Sequence, residues 1–157
     1  MGRCLDLKSA YKQLVVSVGS RKCAVLVVLD PITVEPVYYL SAALLFGAVS
    51  SVVDFNRASR ALWHTASHFG RLLLANFYDD YPGFEPKVTS NHARMTFEGI
   101  LSALGWKYAA VGEPKATPFA VSFDALGVTF DVSRLHQGQF TVGNKVSRIV
   151  QLTEDVS

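Results

Sequence analysis

The spacing of apolar and polar positions changes along the chain and predicts its elements in turn. Arg3-Cys4-Leu5-Asp6-Leu7 reads as a short strand ending at an acid, and Ser9 to Leu14 as a turn or short helix. Ala24 to Leu29 is an unbroken apolar run, which predicts a buried strand. Asp30-Pro31 to Glu35-Pro36 is rich in turn residues, and Val37 to Leu40 returns as the second strand of a hairpin. Beyond Gly47 the period lengthens. Ala48, Val52, Phe55, Ser59, Leu62, Ala66, Phe69 and Leu73 recur at steps of three and four, one apolar or small stripe of a long helix. Arg57, Arg60, His64, His68 and Arg71 fall off that stripe, and Gly70 should loosen the helix end. Thr89 to Leu104 predicts a second helix, with Met95, Phe97, Ile100, Leu101 and Leu104 on its apolar side and Gly105 as its cap. A polar segment, Gly112 to Pro118, precedes strands around Val121 to Phe123, Ala125 to Phe130 and Gln139 to Val142, and Lys145 to Leu152 closes as a short helix. Strands and helices mix without regular βαβ alternation. The expected class is α+β, an antiparallel sheet with helices packed on one face, in a single domain.

Between the two long helices lies Leu73-Leu74-Ala75-Asn76-Phe77-Tyr78-Asp79-Asp80-Tyr81-Pro82. The apolar run suits a buried strand and Pro82-Gly83 is a turn signal, so Asp79 and Asp80 should sit at a hairpin tip. Adjacent carboxylates repel, and a cation bound between them would relieve the repulsion. An ordinary Asp-Asp turn is the simpler alternative. Asp6, at the end of the first strand, changes the picture. Neighbouring antiparallel strands would bring it to Asp79-Asp80, and three carboxylates at adjacent strand ends suit Mg²⁺ or Mn²⁺, two ions about 3.5–4 Å apart.

Composition narrows the partners only slightly. Half of the 157 residues are hydrophobic and 18% charged, a globular balance. A net charge of +2 is too mild to argue for nucleic acid by itself, so any basic surface must be local. The two cysteines, Cys4 and Cys23, form no CxxC pattern. His64 and His68 are one helical turn apart, but Thr65 stands where an HExxH zinc motif has Glu. No secretory leader follows Met1, so an intracellular site, cytoplasm or nucleus, is expected. Pro36 to Val53 is uncharged and near the length of a spanning helix; its serines and Gly47 favour a strand, turn and helix start, with no membrane partner.

Several stretches, in order, resemble reverse transcriptases. Asp6-Leu7-Lys8-Ser9-Ala10-Tyr11 is similar to their first catalytic motif, an acid followed five residues on by an aromatic. Phe77-Tyr78-Asp79-Asp80 resembles the YxDD box, and Leu44-Leu45-Phe46-Gly47 through Arg57 the LPFG motif that opens the template-contacting helix. Leu104-Gly105-Trp106 with Lys115 to Pro118 is similar to the region of the palm lysine, and Ala125-Leu126-Gly127-Val128 to the primer-grip hairpin. Together they cover almost the whole chain and look closest to retrotransposons of the LTR and DIRS type.

The resemblance implies a ferredoxin-like polymerase palm, an RNA-directed DNA polymerase that adds deoxynucleoside triphosphates to a primer paired with an RNA or DNA template. Asp6, Asp79 and Asp80 would be catalytic and hold two Mg²⁺ or Mn²⁺. Tyr11, Phe46, Gly47 and Lys115 would contact the nucleotide, with Tyr11 excluding a 2′-hydroxyl and Lys115 neutralising the leaving pyrophosphate. Arg57, Arg60, Leu126 and Gly127 would contact nucleic acid. The family's pattern is broken at Phe77, Leu45 and Ser51-Val52, all template or nucleotide contacts rather than metal ligands. Because the resemblance starts at the first catalytic motif, the fingers and thumb of a parent polyprotein are expected to be missing, and the isolated chain to polymerise little. An inactive palm relic and a small metal-dependent phosphohydrolase using the same acids are the alternatives.

Overall fold

A computed structural model describes residues 1–113 and 115–156; Pro114 of the expected polar segment lies outside the described residues. The protein is α+β, with small antiparallel sheets and a few helices. It divides into two compact units, one of Met1–Lys8 with the chain from Ser59 onward, the other Ser9–Ala58.

The first unit is built on strands β1 (Gly2–Asp6) and β4 (Asp80–Phe84), which pair antiparallel with Asp6 opposite Asp80 and Gly2 opposite Phe84. Opposite residues share a face, so the pleat sorts the side chains in two sets. Cys4 and Phe84 face Phe123, Ala125 and Phe130 of a three-stranded sheet, β5 (Ser122–Ala125), β6 (Val128–Asp131) and β7 (Thr141–Asn144). Arg3, Leu5 and Tyr81 face the helices. The Tyr81 ring lies 5.2 Å from Phe97 of α2 (Ser90–Ala103), and Arg3 pairs with Glu98 at 3.0 Å. Gly2 is required where it stands, because a Cβ there would fall 2.0 Å from the Phe123 ring.

α2 buries Ala93, Phe97 and Leu101, one i, i+4 stripe. Met95 and Leu104, expected on that side, are exposed; Met95 is two residues from Phe97, half a turn round the helix. Trp106 N–H bonds Leu101 O and Gly105 N–H bonds Ser102 O, with Gly105 at φ +77°, so the predicted glycine cap forms. Leu126 and Gly127, both at positive φ, make a two-residue turn between β5 and β6. α3 (Val146–Val156) ends the described chain.

α1 (Val49–His68) buries Phe55, Ser59, Leu62 and Ala66 of the predicted stripe, and Arg57, Arg60, His64 and His68 are exposed. Phe69 and Leu73 lie beyond the helix and are exposed, contrary to expectation. The helix ends where Gly70 and Leu72 N–H turn back to the Thr65 and Ala66 carbonyls and Arg71 goes left-handed at φ +55°; glycine suits position 70 because a Cβ there would stand 2.5 Å from the Ala66 carbonyl.

In the second unit, β2 (Val25–Leu29) and β3 (Pro36–Leu40) form the predicted hairpin. The expected burial of β2 is overturned: all five residues are exposed, since this sheet has only two strands and each β2 side chain projects from one or other open face. The uncharged Pro36 to Val53 stretch is β3, a loop and the first turn of α1. Among the described residues no helix is long and apolar enough to cross a membrane.

Candidate active site

The antiparallel register sets Asp6 and Asp80 side by side at one end of the β1–β4 pair. Tyr78 and Asp79 form the two-residue turn that delivers Asp80. Phe77 and Asp80 bond each other's backbone in both directions at 3.0 Å. Leu7 N–H donates to Asp79 O at 3.3 Å, tying the turn to the end of β1. Tyr78 is at φ +54°, where a side chain costs about 1–2 kcal/mol. The hairpin is therefore real, but its turn precedes the one expected. Pro82-Gly83 lies inside β4. Gly83 is there because the Leu74 side chain would meet a Cβ at 2.5 Å. The run 73–77 lies alongside β4 without forming a regular strand. Ala75 N–H donates to Pro82 O at 2.8 Å, but Pro82 has no N–H to return. Leu73 and Phe77 are exposed, so this run is not the buried strand its composition suggested.

Around the acids the charges are unevenly compensated. Lys115 Nζ lies 2.7 Å from Asp6 Oδ2. That bond, and then the charge of Asp6, holds the Lys115 ammonium above its ordinary pKa, with Asp79 and Asp80 adding to it. Among the described residues no cation pairs with Asp80; burial, then the charges of Asp79 and Asp6, push its carboxyl above the usual 3.8. Beneath it the Cys4 thiol, 3.8 Å from Asp80 Oδ1, is pushed up to about 12 by burial and then by Asp80. Lys8 pairs with Glu113, which this bond holds below its ordinary value. Among the described residues no three His, Cys, Asp or Glu side chains stand as a ready metal cage; the Asp6 carboxylate is engaged by Lys115 instead. Asp6 and Asp80 nonetheless offer carboxylate oxygens at one sheet end, the donor type that hard divalent ions take, and burial, then the charges of Asp79 and Asp6, raise the Asp80 carboxyl.

The other expected residues fall in separate groups. In the second unit Tyr11 stacks on Phe55 at 4.6 Å and meets Phe46 edge-on at 5.6 Å, so two of the expected nucleotide contacts are neighbours. Phe46 is 89% exposed. Gly47 follows at φ +91° with nothing within 4 Å of a Cβ position, so its backbone angle, not crowding, calls for glycine. Arg57 and Arg60 are solvent-exposed, and Leu126-Gly127 is the β5–β6 turn. Two residues near the acids were not singled out from the sequence. Cys4 alternates with Asp6 on β1, a period-two signal that was available. Ser59 was counted in the helix stripe as a small residue, although a hydroxyl at a wholly buried position needs a partner.

Comparison with protein-family models and with characterised proteins gives no match.

Proposed function

We propose that the chain is a polymerase palm of the reverse-transcriptase kind, catalysing template-directed nucleotidyl transfer to a primer 3′-hydroxyl. The observation that supports this best is the β1–β4 register, which sets Asp6 opposite Asp80 with Asp79 in the adjoining turn. Asp6 and Asp79 would hold the two divalent ions and Asp80 would assist. When bound, such a pair activates the attacking oxygen and stabilises the leaving one. Lys115 would leave Asp6 as the ions enter and place its positive charge near the phosphates. The resemblance further assigns Tyr11 and its neighbour Phe46 to the nucleotide. Arg57, Arg60 and the Leu126-Gly127 turn would meet the nucleic-acid backbone, a contact that weakens as salt rises.

The test is slow, Mn²⁺-dependent addition of a single nucleotide complementary to the template, without processive synthesis, lost in Asp79→Asn. Hydrolysis of a nucleoside triphosphate without primer would assign the same acids to a phosphohydrolase. A second reading, an inactive palm relic, draws on the Lys115–Asp6 pair, which already neutralises one expected ligand. Lys115→Ala separates the two by activity. In either reading it tightens Mn²⁺ binding several-fold, because a competing cation is gone from Asp6. In an active palm nucleotide addition slows; in a relic there is none with or without Lys115.

A further inference from the structure

We infer that Ser59 is the positioning residue of the acidic turn, its hydroxyl fixing the Tyr78 carbonyl and with it Asp79 and Asp80. This rests on the reading of those acids as metal ligands.

The turn needs an anchor. Tyr78 is at φ +54° in the first central position of a two-residue hairpin, where glycine is favoured, and neither its own side chain nor that of Phe77 is buried. What is held instead is the Tyr78 carbonyl, which accepts from Ser59 Oγ and, at 3.0 Å, from Asn76 Nδ2. Ser59 is wholly buried on α1 and belongs to the same unit as the turn.

The Ser59–Tyr78 contact has one possible direction. A carbonyl cannot donate, so the single Ser59 O–H goes to Tyr78 O. The Ser59 oxygen then only accepts, and it has two neighbours to accept from: Asn76 Nδ2 at 2.7 Å and the Tyr81 hydroxyl at 2.7 Å. Ser59 Oγ and Tyr78 O lie too close together for the two divergent Asn76 Nδ2 protons to take one each, so one Asn76 N–H is shared between them, and the Tyr81 proton is shared between Ser59 Oγ and, at 3.2 Å, Ser59 O. Every donor and acceptor of the Ser59 hydroxyl is used. Such a network specifies one geometry, and no apolar residue of similar size reproduces it. Asp79 follows the held carbonyl directly and Asp80 is one residue further, so the network acts, together with the Leu7–Asp79 and Phe77–Asp80 backbone bonds, on where both carboxylates leave the backbone.

Amide exchange and Mn²⁺ titration of the full chain test the assignment, in Ser59→Ala, Asn76→Ala and Tyr81→Phe, with Leu101→Ala as a control for general destabilisation. Ser59→Ala should speed exchange of the Asp80 amide, which bonds Phe77 O, about tenfold more than exchange of the Gly2 amide at the far end of β1. It should also weaken Mn²⁺ binding about tenfold. Asn76→Ala and Tyr81→Phe should give the same pattern to a lesser degree, and Leu101→Ala should leave the ratio of Asp80 to Gly2 exchange and the Mn²⁺ affinity of the folded protein unchanged. A ratio in Ser59→Ala no higher than in Leu101→Ala overturns the positioning role. Faster exchange with unaltered Mn²⁺ affinity overturns its link to the site. A wild-type chain without Mn²⁺ affinity overturns the metal reading itself, and the exchange ratio still decides whether Ser59 holds the turn.

Discussion

Phe55→Ala is expected to destabilise the fold by about 3–5 kcal/mol, the range for truncating a buried aromatic. Phe55 has no exposed surface and its ring stacks on Tyr11 with centroids 4.6 Å apart at 23°. Truncation removes the transfer free energy of the ring and leaves a cavity in place of the stack. Against a typical total stability of roughly 5–15 kcal/mol, that loss should be evident as a large fall in the urea midpoint. Phe46→Ala is the comparison. Phe46 also touches Tyr11, but edge-on and while 89% exposed, so its loss should change stability by no more than about 0.5 kcal/mol. The two variants thus separate the packing of Tyr11 from the exposed aromatic surface beside it. Near-equal midpoints would mean that the Phe55 ring is not a core element.

The difference between those two phenylalanines was legible in the sequence, because Phe55 falls on the helical stripe and Phe46 precedes it. Period-based reasoning worked where a segment has one buried face. It found β1, the buried part of α1 and α2 with its glycine cap. It failed for β2, where Val25 to Leu29 has the composition of a core strand but lies in a two-stranded hairpin; composition cannot report how many layers will cover a strand. It failed also at Pro82-Gly83. That dipeptide usually marks a turn, yet here Gly83 makes room for Leu74 and Pro82 occupies a position whose missing N–H only interrupts one edge. The acids themselves were legible as a pair with Asp6. Of their support only Cys4 is signalled, by its alternation with Asp6 on β1; Asn76 and Tyr81 join the site through long-range hydrogen bonds to Ser59, which local spacing does not encode.

Asp79→Asn is expected to abolish most of the stabilisation that Mn²⁺ gives the wild type. A ligand at a hundred times its Kd stabilises the form it binds by about 2.7 kcal/mol, which for a chain of this size raises Tm by roughly 5–10 °C. Asp80→Asn carries a further expectation, in the opposite direction, without metal. The folded Asp80 carboxyl is held above its ordinary 3.8, through burial and then the charges of Asp79 and Asp6. A raised folded value means that this group's contribution to stability is complete below about 3.8 and is lost as the pH climbs through the raised value. At neutral pH the ionised carboxylate therefore opposes folding. Asn keeps the size and an acceptor for the Cys4 thiol while removing the charge. The metal-free Asp80→Asn protein should thus melt higher than wild type at pH 7, the two should converge toward pH 3.5, and its response to Mn²⁺ should shrink. Calorimetry of both proteins across that range, with and without Mn²⁺, measures all three. A metal-free Asp80→Asn protein no more stable than wild type at pH 7 would mean that neither burial nor the charges of Asp79 and Asp6 oppose the ionised Asp80 carboxylate, and would remove the electrostatic argument that a cation is needed there.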